Sequence, residues 1–213
     1  MDNYQSAIVS QCLSDLGNEL LQEIITHGVI KSFDTDEFVI KQGQLIKHLP
    51  IVLEGILKVF SDEDNYQFLL YYIHPGATCI FSFAHFFGEK KLAFSGTAEM
   101  ASSVLLIPVQ KAREWMIKYP VFSAMILKEY EKHYYDLLET TKQLLCYNLE
   151  ERILQYLQTK AAITGDTLLA ISHRTIASDL ATSREAISRV MRKLEKDNKI
   201  QQSGRKIQLL AGR

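Results

Sequence analysis

Apolar residues recur along this chain with two different periods. Over Leu13 to His27 the positions Leu16, Leu20, Leu21, Ile24 and Ile25 fall on one face of a helix, and Gly28 supplies a stop. From Val29 to Pro108 the pattern shortens. Runs rich in β-branched and aromatic residues, at Phe38–Ile40, Pro50–Leu53, Ile56–Phe60, Tyr66–Ile73 and Val104–Ile107, are divided by turn signals. Those signals are Lys41-Gln42-Gly43, Leu53-Glu54-Gly55, Ser61 to Asn65 and His74-Pro75-Gly76. Many short strands at nearly regular spacing predict a compact β-barrel or roll. After Tyr119-Pro120, where proline can start a helix but not sit inside one, helical periodicity runs from about Val121 to Tyr147. Ile126, Tyr130, His133, Leu137, Thr140 and Leu144 form a stripe at alternating four- and three-residue steps, the pattern of a coiled-coil seam with a second copy. A further helix is expected over Asn148–Lys160, followed by a turn at Thr164-Gly165-Asp166.

The stretch from Ser172 to Leu194 holds two short helical patterns separated by a break. The first buries Ile176, Ala177 and Leu180, the second Ile187, Val190, Met191 and Leu194. Thr182-Ser183 opens the second with side chains suited to an N-cap, and Glu185, three residues after Thr182, completes an expected capping box. Arg184, Glu185, Ser188 and Arg189 remain on the face left free. A helix with such a face, held by a short preceding helix, can enter the major groove of DNA. Downstream, Ile200, the turn Ser203-Gly204-Arg205-Lys206 and Ile207-Gln208-Leu209 read as a hairpin, the wing of a winged helix.

Composition sharpens this reading. The net charge of −1 hides an asymmetry: residues 171–213 hold ten Lys/Arg against four Asp/Glu, or +6, and the remainder of the chain stands at −7. A basic module on an acidic body is the electrostatic footprint of a part that meets phosphates. Cys12, Cys79 and Cys146 are far apart and odd in number, which argues against a disulfide framework and a zinc site. No apolar run reaches the length of a membrane span and the N-terminus has no signal-peptide pattern, so the expected location is cytoplasmic with no membrane partner. No P-loop, Gly-x-Ser-x-Gly, His-Glu-x-x-His or Gly-x-Gly-x-x-Gly occurs, and no catalytic residue is expected.

An α+β chain with an N-terminal β-roll, jelly-roll-like and placed to sense a ligand (1–118), a long dimerisation helix (119–147) and a C-terminal winged helix-turn-helix (148–213) resembles the Crp/Fnr family of bacterial regulators. Thr182 to Arg189, followed by Leu194-Glu195, is the most specific part of the resemblance, and Gly43, Gly55 and Gly76 fall at family-like turns. The resemblance implies a homodimer on double-stranded DNA, with RNA polymerase as a further partner. It matches Glu185, Ser188 and Arg189 to the base-reading motif of the Fnr-like branch, whose half-sites resemble TTGA. Arg189 can donate two bonds to guanine O6/N7 and Glu185 can accept from cytosine N4. Ser172, His173, Ser183, Arg184, Arg205 and Lys206 are assigned to phosphates, which fix register rather than sequence.

The sensing half departs from the family. Members that bind cyclic nucleotides carry a Glu after the equivalent of Gly76 and, later, an Arg-Ser pair. Here Ala77 follows Gly76, the later segment reads Ala93-Phe94-Ser95-Gly96, and the first arginine of the chain is Arg113. A buried phosphodiester would lack its best bidentate donor, so cyclic AMP is not the expected effector. An iron–sulfur cluster of the Fnr type needs N-terminal cysteines, and only Cys12 is there. The expected effector pocket lies at Cys79, Phe81, Phe83, His85 and Phe94; His74, Cys79 and His85 are candidate haem ligands by analogy with haem-sensing relatives. The competing reading is a ligand-binding roll with a protein-interaction tail, which would not need the basic face around Arg189.

Overall fold

Two short helices precede the strands, α1 (Asn3–Cys12) and α2 (Asn18–His27). The continuous helix expected over Leu13–His27 is interrupted at Gly17, whose φ of 79° ends a 3-10 turn at Ser14–Leu16 and starts α2. Leu20, Leu21 and Ile24 are buried, as the periodicity required. Gly28 ends α2 from extended backbone rather than a left-handed cap, and its role is close packing: a Cβ there would lie 2.7 Å from Leu105 Cδ1 and 2.8 Å from the Ile24 carbonyl. The computed structural model describes residues 1–63, 66–84, 91–204 and 206–210, with side chains described except at 63, 66–68, 139–140 and 143–146. The chain divides into two compact units, Met1–Ser61 with Leu70–Asp136 and Asp62–Leu69 with Leu137–Arg213.

In the first unit β1 (Val29–Phe33), β2 (Phe38–Ile40), β3 (His48–Glu54), β4 (Leu57–Glu63), β5 (Tyr66–Ile73), β6 (Ser95–Ala98) and β7 (Ser102–Pro108) build two sheets of order β1-β7-β3 and β2-β6-β4-β5. β7 runs antiparallel to β1 and β3, and β6 to β2 and β4. Strand alternation divides the apolar residues between two cores. Val52 and Val104 join Val59, Ile73, Cys79 and Phe94 in one, drawn from both sheets. Leu49, Ile51, Leu105 and Ile107, from the opposite faces of β3 and β7, meet Leu20, Ile24, Trp115 and Phe122 in the other. Each such buried side chain contributes about 1.5–3 kcal/mol. The two-residue turn between β3 and β4 demands glycine. Gly55 has φ 80°, and a Cβ there would lie 2.5 Å from the Ala101 carbonyl and collide with Ser102.

Three helices complete this unit. A short α3 (Ile80–Ala84) occupies part of the aromatic segment, and α4 (Val109–Lys118) follows β7. Tyr119, extended as the residue before a proline must be, leads into α5 (Pro120–Cys146). Trp115 meets Phe122 edge-on at 5.8 Å, and Ser123 Oγ donates to the Met116 carbonyl at 2.6 Å, closing the corner between α4 and α5.

The stripe expected to form a seam with a second copy is engaged differently. Ile126 is 1% exposed and His133 5%; Tyr130 packs edge-on against Phe83 at 5.9 Å, and His133 stacks on Tyr71 at 4.0 Å. As far as His133 this face is covered by the chain's own roll, whose apolar surface satisfies the same spacing that a partner helix would. Leu137, further on, is 62% exposed, and the side chains of Thr140 and Leu144 lie outside the described residues. Besides Leu137, the exposed large apolar residues of α5 among those described are Val121, Leu127, Tyr134, Tyr135 and Leu138.

In the second unit α6 (Leu149–Thr164) starts at a capping box, Asn148 accepting from Glu151 N while Glu151 accepts from Asn148 N, and ends at Gly165 in the left-handed conformation. β8 (Leu168–Ala170), α7 (His173–Asp179), α8 (Arg184–Lys196), β9 (Ile200–Ser203) and β10 (Lys206–Leu209) follow, with sheet order β8-β10-β9.

Two expectations follow from the first unit. Gly55→Ala should destabilise it by about 2–4 kcal/mol, through φ strain and overpacking, read as a shifted denaturation midpoint at unchanged slope. The second concerns His133. Its ring nitrogens make no hydrogen bond, although Asp136 approaches Nδ1 to 3.2 Å, and burial holds its pKa below the ordinary value against the pull of Asp136. The neutral ring is therefore favoured in the fold. Its stability contribution is full above the unfolded pKa of about 6.5 and is lost as pH falls through the folded value. Burial raises the Glu129 pKa, which has the opposite sense, so comparison with His133→Phe isolates the histidine. The variant should lose less stability than the parent between about pH 7 and pH 5. Parallel pH profiles in denaturant titrations would refute it.

Candidate nucleic-acid interface

Helix α8 is positioned by what it buries. Ile187, Met191 and Leu194 are fully enclosed with Ile153, Leu157, Ile176 and Ile207 in a core shared by α6, α7 and the sheet. The turn between α7 and α8 is held from behind. Arg152 donates from Nη2 to the Leu180 carbonyl at 2.9 Å, and Tyr156 donates to the buried Asp179 carboxylate at 2.7 Å. Lys193 and Lys199 both pair with Glu150 and hold its carboxyl below the usual range, tying the end of α8 and the strand after it to the start of α6.

The start of α8 differs from expectation. Ala181 takes φ 48° and Thr182 N donates to the Ala177 carbonyl at 2.9 Å, so the turn is one residue longer and Ser183, not Thr182, is the N-cap. Its Oγ accepts from Ala186 N at 3.1 Å. The expected capping box is therefore absent: Ala186 occupies the position that a reciprocating Glu would need. Glu185 is released from the backbone, and it and Arg189 are exposed with no hydrogen bond or ion pair among the described residues. Arg192 continues the same exposed face.

The other expected residues separate into exposed and engaged ones. Arg184 and Lys206 are exposed cations; Arg205 lies outside the described residues. Ser172 caps α7, accepting from Thr175 N at 3.1 Å. His173 is not a free phosphate donor. Its Nδ1 lies 3.0 Å from Ser188 Oγ and its Nε2 2.8 Å from Gln202 Oε1, so both nitrogens are spent inside the protein. A concave surface of about 540 Å³ is lined by Ser172, His173, Arg174, Arg184, Gln202 and Gly204, among others. Arg174 was recognisable in sequence as one more basic residue of this module. Gln202 was not, because nothing in a strand pattern reveals which polar residue turns inward.

In the roll, the expected effector pocket is packed. Cys79 is fully buried with Sγ 3.4 Å from Tyr71 Oη, and burial pushes its thiol pKa up. Phe81 packs on Tyr71 at 5.3 Å and on Phe94 at 5.5 Å. Phe83 turns to the other core, beside Tyr130. His85 lies outside the described residues; His74 is exposed, whereas Cys79 is fully buried. Ala77 is buried, and Ser95 Oγ accepts from Gln42 N at 3.0 Å, spending its hydroxyl on the roll's own backbone. Among the described residues no cluster of His, Cys, Asp and Glu could hold a metal ion, and no helix is long and apolar enough to cross a membrane. An open cleft of about 430 Å³ exists elsewhere in the roll, lined by Val39, Ile40, Ile46, Lys47, His48 and Leu92 with neighbouring residues.

Comparison with known proteins bears on both units. Residues 30–119 match the family model of the cyclic nucleotide-binding domain, and residues 151–211 that of the Crp-like helix-turn-helix domain. No curated protein sequence matches the chain. Among solved structures, a regulator assigned to the Crp/Fnr family from Eubacterium rectale superposes with a TM-score of 0.84 at 20% identity, covering 93% of this chain and 92% of that one. The c-di-GMP responsive global regulator CLP of Xanthomonas campestris gives 0.79 at 17% identity, over 91% of this chain and 99% of that one. A Crp/Fnr-family transcriptional regulator of Thermus thermophilus gives 0.68 at 17%, over 86% and 94%. At these identities the likeness is one of fold. With a cyclic nucleotide-binding domain and a Crp-like helix-turn-helix matched in that order, the chain belongs to the Crp/Fnr family of transcriptional regulators.

Proposed function

We propose that this regulator binds a two-fold symmetric, TTGA-like operator as a homodimer, with Glu185, Ser188 and Arg189 of α8 facing the base edges. The observation that carries this reading is the freedom of Glu185 and Arg189. A carboxylate and a guanidinium one helical turn apart, exposed and unpaired among the described residues, keep their full capacity for cytosine N4 and guanine O6/N7. Arg184, Lys206 and Arg174 are assigned to phosphates, and His173 to bracing α8 rather than to the backbone of DNA.

For the dimer we assign the exposed residues Leu127 and Tyr134 of α5, seven apart and so on one face, in place of the buried Ile126 and His133. A second copy lying against this face would form an isologous contact, with each Leu127 meeting the same surface of its mate.

Cyclic AMP is not the effector in this reading. The strands of the roll contain no arginine, the first being Arg113 in α4, and Phe94 fills part of the core where a nucleotide-binding member offers polar partners for the phosphate. The effector and the direction of regulation are left to the experiments below.

Arg189→Ala should weaken binding to a palindromic TTGA-type duplex by about 1–3 kcal/mol and relax preference at the guanine, whereas Lys206→Ala should weaken all sequences alike and flatten the salt dependence. Full discrimination retained by Arg189→Ala in a mobility-shift titration would remove α8 from base reading. Leu127→Glu places a charge on the proposed seam and should yield monomers in light scattering, with operator affinity strongly reduced. A dimer of unchanged mass would place the interface elsewhere. Cyclic AMP should give no calorimetric signal with the parent protein; a complex of micromolar affinity would overturn the reading of Phe94 and Ala77.

A further inference from the structure

Four side chains join the wing to the reading face of α8 in one hydrogen-bonded series. Glu195 Oε1 accepts from Gln202 N at 2.7 Å and Glu195 Oε2 accepts from Gln202 Nε2 at 3.0 Å. Gln202 Oε1 lies 2.8 Å from His173 Nε2, and His173 Nδ1 lies 3.0 Å from Ser188 Oγ. The direction of every bond in this series is determined by its first member. An ionised carboxylate only accepts, so the amide of Gln202 must present its NH2 to Glu195 and its oxygen to His173. An oxygen facing Nε2 requires the proton there. In the neutral imidazole Nδ1 is then a bare lone pair, and Ser188 must spend its single hydroxyl hydrogen on it. What Ser188 has left to offer outward is oxygen lone pairs.

We infer that Glu195, Gln202 and His173 are positioning residues that set the hydrogen-bond polarity of Ser188, restricting it to accept from an exocyclic amine in the major groove, adenine N6 or cytosine N4. This rests on the assignment of Ser188 to base reading made above. A free serine hydroxyl would rotate to donate to a carbonyl or accept from an amine and would discriminate little. The series converts it into an acceptor without adding charge to the interface. Adenine N6 and cytosine N4 are the groove's donors; guanine O6 and thymine O4 repel an acceptor.

The series makes an unusual demand of one atom. In Glu195→Gln the side-chain oxygen is still required by Gln202 N, so the new NH2 replaces Oε2 and donates. Gln202 must then turn its oxygen to residue 195 and its NH2 to His173. Nε2 becomes the acceptor, Nδ1 carries the proton and donates to Ser188 Oγ, and the hydroxyl hydrogen is released toward the groove. A change from oxygen to nitrogen, at a residue proposed to touch no base, reverses the polarity of the reading group.

Two measurements test this. Long-range proton–nitrogen correlation spectra of DNA-free protein, taken where the His173 ring is neutral, should show the Nε2–H tautomer in the parent and the Nδ1–H tautomer in Glu195→Gln. A parent ring protonated at Nδ1, or a tautomer unmoved by the substitution, overturns the inference. The second measurement uses duplexes in which each adenine of a half-site is replaced by purine and each cytosine by 2-pyrimidinone, deleting one amine at a time. Apart from the cytosine amine assigned to Glu185, the parent should lose about five- to tenfold in affinity at one further position, the worth of one hydrogen bond with a neutral partner, and Ser188→Ala should abolish that penalty. Glu195→Gln should abolish it too, and His173→Phe, which keeps a ring but breaks the series, should reduce it. A tautomer that switches while the penalty stays constant sinks base reading by Ser188 and leaves the series standing. A penalty lost in Ser188→Ala but kept in both other variants sinks the series and leaves base reading standing.

Discussion

Burial of one face of α8 determines what the opposite face can do. Ile187, Met191 and Leu194 are enclosed in the core of the second unit, and a helix of 3.6 residues per turn then has no freedom left about its axis. Glu185, Ser188, Arg189 and Arg192 must face away. Turning α8 by one residue would expose an isoleucine and bury an arginine, at a cost of several kcal/mol for the unpaired charge alone. The apolar stripe is thus the constraint from which the reading face follows. The bracing bonds from Arg152 to Leu180 and from Tyr156 to Asp179 serve it by closing the turn behind α8.

The same physics explains which features could be read from the chain and which could not. Periodicity located α8, the wing strands and most of the roll, because each buries a face whose spacing is fixed by its own geometry. The Thr182 cap failed by one residue, since the positive φ of Ala181 is a tertiary compromise that no propensity for alanine would suggest. Gly17 broke an apparently continuous helix in the same way. The stripe on α5 exposed a different limit. A repeat of four and three residues says that a helix face will be covered, not by what; Ile126 and His133 are covered by the roll, and the surface free for a partner lies beside them. β1, β6, β8, α1, α3 and α4 were not anticipated, β6 being short, small-residue and without alternation. Of the residues proposed to face DNA, the charged ones were legible from charge on an exposed face, whereas Ser188 came from the family resemblance and its partners did not show in the sequence at all. Charge on an exposed face shows in the sequence, whereas the employment of His173 by Ser188 and Gln202 depends on three elements meeting.

Affinity and discrimination are carried by different chemistry in the second unit. Its positive charge acts on any phosphate and is screened by salt, so the lysines and arginines supply attraction that is nearly blind to sequence. Discrimination requires groups whose direction is fixed before contact. In the proposed reading Glu185 and Arg189 would achieve this through ionisation, since a carboxylate can only accept and a guanidinium only donate. A serine hydroxyl has no such bias of its own, and in the inference drawn above the carboxylate of Glu195 would supply one to Ser188 through Gln202 and His173.

The roll poses the converse problem, and its packing limits the answer. Cys79 contacts Tyr71, Tyr71 contacts Phe81 and Phe81 contacts Phe94, and Tyr71 also packs on His133 while Phe83 meets Tyr130. The aromatic cluster and the inner face of α5 within this unit are therefore one packed body. Close-packed side chains cannot move singly, because a displaced ring must either leave a void or displace its neighbour. A ligand that opens space at Phe81 or Phe94 would be felt at Tyr71 and hence at His133, whose ring packs on Tyr71 at 4.0 Å. Burial of His133 is costly to its charged form, with Asp136 3.2 Å from Nδ1 and Glu129 3.9 Å from Nε2 as the nearest acids.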